Sequence, residues 1–177
     1  MYRTLALSLV ALFGLILLAT PTQAAEHWLG GGVRYFQTVD DIEVTDIGRI
    51  DADGNSVILS YQADPAGLFR FEVDLEYFSD GYGEQTGSIT SPQALVLIGS
   101  TLYGGVGAGI NYVEDNLIGD DTSDVFYIGR LGLQLTLLPR VHLDINASYQ
   151  SDVFDKVLDG PSSSSTTLGA MVRFRLK

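Results

Sequence analysis

Residues 68–78 read LFRFEVDLEYF. Successive side chains of a β-strand point to opposite faces. An extended chain therefore sets Phe69, Phe71, Val73, Leu75 and Tyr77 on one side and Arg70, Glu72, Asp74 and Glu76 on the other. Helical spacing would scatter both kinds around the circumference, so the period of two assigns a strand. One face of it needs an apolar medium, and the other a polar, mutually neutralising one. Either the charges face water and the aromatics a core, or the charges line a barrel interior and the aromatics face lipid.

Working outward, the same alternation predicts seven more strands. Before it come Trp28–Val39, with Val33, Tyr35 and Gln37 opposite Arg34, Phe36 and Thr38, and Ser56–Gln62, with Val57, Leu59 and Tyr61 on one face. In the latter Ile58 is an apolar exception on the polar face. After it come Ile89–Ile98, the least patterned, and Thr101–Val113, whose polar face carries Gly105, Gly107 and Gly109. Residues 125–137, 141–150 and 165–176 complete the set, with Arg130, Asp144, Arg173 and Arg175 on their polar faces. The connections alternate long and short. Short connections force antiparallel neighbours, so the long loops gather at one end and the short turns and chain ends at the other. The expected fold is all-β, an eight-stranded antiparallel up-and-down transmembrane β-barrel.

A lipocalin-like soluble barrel, with its apolar face inward and a small apolar ligand inside, is the competing architecture. Charge and bulk favour lipid. The apolar faces hold five or six large residues in unbroken alternation, which overfills a small barrel. The opposite faces hold Arg34, Arg70, Arg130, Arg173 and Arg175 with Glu72, Asp74, Glu76 and Asp144, a set able to pair internally. Gly105, Gly107 and Gly109 are expected to leave room there for long arginines. Tyr61, Tyr77, Tyr112, Tyr127 and Tyr149 lie on the apolar face, several near strand ends, where aromatic girdles meet the membrane interface.

The first residues read as a signal. Arg3, an apolar run over Leu5–Leu18, Thr20-Pro21 and the small residues to Ala24 predict a secretory signal peptide over residues 1–24. The barrel domain is then 25–177. There is no cysteine, so the exported domain does without disulfides. The formal net charge is −12, which argues against nucleic acid as a partner. Sixteen of the 22 acidic residues fall in the four long connections, against two bases, Arg49 and Lys156. This predicts a solvated, repulsive outer surface. Asp51-Ala-Asp53-Gly-Asn55 places oxygen ligands at alternate positions, but it lacks the glycine and glutamate of a calcium loop, and no metal site is assigned.

At this point the chain resembles the small eight-stranded outer-membrane barrels of the OmpA and OmpX kind. Residues 167–174, TLGAMVRF, are similar to the terminal polar-x-Gly-x-x-apolar-x-aromatic signal of that group, with Thr167, Gly169, Val172 and Phe174 in the signal positions. Arg175-Leu176-Lys177 follow the aromatic, where the group usually ends. Residues 102–109, LYGGVGAG, are similar to its glycine-rich strands. The resemblance implies the outer membrane of a Gram-negative bacterium and insertion by its barrel-assembly machinery. It implies contact with outer-membrane lipid and lipopolysaccharide, and room for an extracellular partner at the acidic loops.

No catalysis and no cofactor are expected. The alternative is a lipid-modifying outer-membrane enzyme, which would need a histidine beside a serine near the outer leaflet. His27 lies at the N-terminal end of the barrel domain and His142 at the short-turn end of its strand. Gly105-Val-Gly107-Ala-Gly109 lacks the spacing and following helix of a dinucleotide site. Oligomeric state and physiological process are not legible in the sequence.

Overall fold

The computed structural model describes residues 25–38, 42–44, 48–50, 53–65, 68–79, 88–114, 121–122, 125–151 and 165–176. Residues 1–24 and most of the long connections lie outside them. The signal-peptide expectation and most of the loop carboxylates therefore fall on undescribed residues.

Eight long strands make the wall: β1 (Glu26–Thr38), β2 (Asp53–Asp64), β3 (Phe69–Phe78), β4 (Ser88–Gly99), β5 (Leu102–Gly109), β6 (Phe126–Leu138), β7 (Val141–Ser151) and β8 (Ser165–Arg175). Each is antiparallel to its chain neighbours. β1 pairs β8 from Trp28–Arg175 to Thr38–Ser165 and closes the barrel. Beyond the wall, Ile42–Val44 pairs with Gly48–Ile50 inside the first long connection. The line of β5 resumes as Tyr112–Glu114, pairing with Ser88–Thr90 and with Asp121–Thr122. The break at Ile110 and Asn111 falls opposite Pro92, which has no N–H to give the ladder.

The register fixes the shape. A walk through paired residues runs Trp28, Gln62, Glu72, Leu95, Gly107, Ile128, Gln150, Ser165 and back to β1 at Thr38, ten residues above its start. With strands about 4.8 Å apart and about 3.3 Å per residue, that stagger tilts them roughly 40° from the barrel axis. At Gly99 the β4–β5 turn has φ of 114°, and a Cβ would sit 2.3 Å from the Leu102 carbonyl oxygen, so glycine is required.

Alternation is kept around the wall. β3 buries Arg70, Glu72, Asp74, Glu76 and Phe78 and turns Phe69, Leu75 and Tyr77 outward. β6 turns out Tyr127, Leu131, Leu133, Leu135 and Leu137 and buries Phe126, Ile128, Arg130 and Gln134. Leu102, Val106 and Leu131 are 75%, 70% and 69% exposed, whereas Glu72, Asp74 and Glu76 are 0% exposed, so the barrel is polar within and apolar without.

Two expectations are corrected. Asp53-Gly54-Asn55, expected to precede a strand beginning at Ser56, belongs to β2 and pairs with Gln37, Phe36 and Tyr35. Gly54 faces the Phe36 ring, where a Cβ would lie 2.7 Å from Cζ. The glycines of β5 also make room for something other than arginine. A Cβ at Gly105 would meet Leu97 Cδ2 at 2.4 Å, at Gly107 Leu95 Cγ at 2.6 Å, and at Gly109 Phe126 Cζ at 2.5 Å. The lumen face of β4 reads Ile89, Ser91, Gln93, Leu95, Leu97, so leucine side chains fill that space. Arginines are accommodated by glycines elsewhere, Arg34 by Gly169 and Arg173 by Gly30.

Candidate functional site: the barrel lumen

The charged face of β3 is an acidic stave running up the inside of the barrel. Three arginines reach it from other strands. Arg34, on β1, places Nη1 2.7 Å from Glu76 Oε2 and Nη2 3.1 Å from Asp74 Oδ2. Arg130, from β6, places Nη1 2.8 Å from Asp74 Oδ2 and also donates to Glu72. Arg173, from β8, donates to Glu72 Oε2 at 2.7 Å and lies 3.4 Å from Asp144 Oδ2. Read in order, Arg34, Asp74, Arg130, Glu72, Arg173 and Asp144 form a chain of alternating charge across the lumen.

Alternation is what makes this burial tolerable. An isolated buried ion costs several kcal/mol, and mutual attraction offsets that only when hydrogen bonds serve the remaining lone pairs. Ser56 donates to Glu76, Arg173 donates to Ser60 Oγ at 2.8 Å, and Arg130 Nε donates to Ser148 Oγ at 2.9 Å. Tyr103 Oη donates to Asp144 at 2.8 Å, and Asn146 Nδ2 donates to the same carboxylate at 2.8 Å. Gln93 donates to Glu76 Oε2 at 2.8 Å and accepts from Arg34 at 3.3 Å. Gln93 and Tyr103 were not singled out from the sequence. Tyr103 shares the face of Gly105, Gly107 and Gly109, already placed inside, whereas the weakly patterned stretch around Gln93 offers no such neighbour.

Two arginines of the sequence set stand apart. Arg70 is buried, but it donates to Gln134 and lies 4.6 Å over the Tyr103 ring instead of joining a carboxylate. Arg175 is a correction. It is exposed and pairs with Glu26 at 2.8 Å, because β8 has passed the rim by that residue and the side chain meets no lumen. In the candidate insertion signal, Thr167 and Gly169 face inward, Phe174 is exposed and Val172 half-buried.

The lumen is closed differently at its two ends. At the short-turn end Trp28 stacks on His142, centroids 3.9 Å apart, and His142 hydrogen-bonds Gln134. His27 also lies at this end, its Nδ1 2.7 Å from Tyr61 Oη. At the long-loop end Phe36, Phe78, Phe126, Ile89 and Ile128 are buried together, with Phe36 edge-on to Phe78 at 5.2 Å.

An eight-stranded barrel with a paired-charge interior and an apolar exterior defines the class. No protein-family profile matches this chain, and no curated protein matches it in sequence. Among solved structures it is similar to Neisserial surface protein A, with 20% identity over 87% of this chain and 100% of the other, at a TM-score of 0.63. It is also similar to Ail, the attachment invasion locus protein of Yersinia pestis, solved in complex with the heparin analogue sucrose octasulfate. That match has 14% identity over 87% of this chain and 100% of the other, at a TM-score of 0.52. At these identities the likeness is one of fold.

Proposed function

We propose that the chain is a non-catalytic outer-membrane barrel of a Gram-negative cell. Its lumen is a structural brace, and its acidic long loops are its interacting surface. The observation that carries this reading is the inversion of polarity. Soluble monomers rarely expose a contiguous apolar patch above several hundred Å², yet large apolar side chains are exposed on every strand of this wall. On β6 they run from Tyr127 to Leu137, ten residues that at a tilt of roughly 40° rise about 25 Å along the axis. That is the height of the lipid-facing band of bacterial outer-membrane barrels.

Orientation follows from the ends. Tyr35, Tyr77, Tyr112, Tyr127 and Tyr149 face outward near the long connections, where their hydroxyls would meet the polar layer of lipopolysaccharide. The short turns then lie in the periplasm. Both histidines sit at that end in aromatic contacts, which is the wrong leaflet for lipopolysaccharide chemistry. Assembly by the cell's barrel-insertion machinery through Thr167, Gly169, Val172 and Phe174 belongs to the same reading.

The test is gel mobility of a washed outer-membrane fraction, boiled against unboiled. A heat-dependent shift of the protein in that fraction is expected. Recovery from the soluble periplasm without a shift would overturn the reading and return the search to an apolar ligand inside the barrel.

A further inference from the structure

We infer that the short-turn closure of the barrel is an acid-sensitive latch, in which protonation of His142 breaks its bond to Gln134 and lifts its ring off Trp28. Only the compartment whose acidity it reads, the periplasm, rests on the membrane reading above.

The direction of the hydrogen bonds is fixed from one end. Arg70 Nη1 meets Oε1 of Gln134, and Nε2 of the same amide meets Nδ1 of His142. An arginine only donates, so the amide oxygen must face it and the amide NH2 must face the imidazole. Nδ1 of His142 is therefore an acceptor, and the ring is the neutral tautomer with its proton on Nε2. Arg70 is held in turn. It is buried, lies 4.6 Å over the Tyr103 ring, and Tyr103 donates to Asp144 at 2.8 Å.

Acid adds the second proton at Nδ1, the atom that Gln134 addresses. Donor then meets donor, and rotating the amide only moves the conflict to Arg70. The charges around the ring offer an imidazolium little. Arg173 is its register partner on β8, and Arg175 on the same strand lies opposite Trp28. Arg70 stands behind Gln134, and Arg140 precedes His142 by two residues in the short turn. Of the carboxylates, Glu26 is paired with Arg175 at 2.8 Å, and Asp64 lies beyond it, opposite Glu26 on β2. Asp144, two residues along β7, already accepts from Tyr103 and Asn146 and lies 3.4 Å from Arg173. The indole face attracts a cation, and it is the one contact that favours staying. His142 is half-buried at the rim and covers Trp28, which is buried. The proton therefore arrives from solvent, and the ring has a direction in which to leave.

Trp28 is the single tryptophan of the chain, so its emission reports the latch directly. Acrylamide quenching of that emission is compared in detergent at pH about 8 and about 5. Histidine changes charge in that interval, and carboxylates, which titrate near pH 4, largely do not. Wild-type protein should be quenched several-fold more steeply in acid while keeping its heat-dependent gel shift. His142→Gln cannot take the proton, and Gln134→Glu offers Nδ1–H an acceptor while still accepting from Arg70. Both should lose the acid-induced increase, and His27→Gln should keep it. Equal quenching at the two pH values in wild-type protein that keeps the shift would overturn the inference. An increase that survives His142→Gln would do the same. So would an acid-induced loss of emission without added acrylamide access, the mark of an imidazolium that stays on the indole. The wild-type comparison needs no substitution, so a variant that fails to fold does not remove the test. Absence of the gel shift at neutral pH would instead remove the membrane reading, and the quenching comparison would still judge the latch.

Discussion

The two faces of one strand obey different rules. On β3, Phe69, Leu75 and Tyr77 need only be apolar and of moderate bulk, because lipid conforms to whatever shape they present. Glu72, Asp74 and Glu76, one residue away along the chain, are held by named partners within about 3 Å. The outer wall solves a problem of solvent and the lumen a problem of geometry. Substitutions should therefore be graded by polarity outside and by partnership inside.

The largest effect is expected where partnership is lost. Arg130→Met removes a side chain bonded to both Asp74 and Glu72, leaving two buried carboxylates with reduced compensation. Breaking a buried pair by removing one partner costs about 3–5 kcal/mol. The urea midpoint of refolded protein, followed by the unboiled gel band, should fall accordingly. Arg175→Gln removes an exposed pair of the same chemistry, and exposed pairs are worth about 0–1 kcal/mol. Equal losses at the two sites would show that burial is not what gives the lumen network its weight.

Polarity should dominate outside. Leu131 is 69% exposed and sits near the middle of the apolar run on β6. Leu131→Arg should cost roughly 2–4 kcal/mol in a bilayer, and Leu137→Arg, close to the short-turn rim, roughly 0–1 kcal/mol. The same urea titration in vesicles checks both. A depth-independent pair of values would contradict a lipid-facing wall.

The sequence was legible where residue type and face agree. Residues 69–77 announce their period, their strand and the inversion, because every odd position is apolar and every even one charged. Ile58, Leu95, Leu97 and Phe78 were harder, since an apolar residue in a barrel with an apolar exterior is expected outside. Their inward position follows from parity alone, and in residues 94–98 an unbroken apolar run hides the parity. The partner signal was present in Gly105, Gly107 and Gly109, but glycine records only that something approaches. It does not say whether a leucine or an arginine does. Arg175 was misplaced for another reason: alternation tells the side of a strand, and only the register with β1 tells where the rim falls. Gln93 and Tyr103 belong to the network through reach across the bore, a distance that no single strand contains.

Glycine gives the sharpest small test of the two rules, because both faces carry it. At Gly105 the space is occupied from inside the fold, with a would-be Cβ 2.5 Å from the Val96 carbonyl oxygen and 2.4 Å from Leu97 Cδ2. At Gly129, on the outer face of β6, nothing lies within 4 Å. Gly105→Ala must push leucine and backbone apart, and overpacking of that kind costs about 1–3 kcal/mol. Gly129→Ala adds a methyl group toward lipid and removes backbone freedom from the unfolded chain, which stabilises by about 0.4–1 kcal/mol where the conformation permits it. Opposite signs in the urea midpoint are therefore expected from one chemical change made on two faces. If Gly129→Ala were also destabilising, an external surface would have to be packed against that glycine, and the outer wall would be subject to geometry after all.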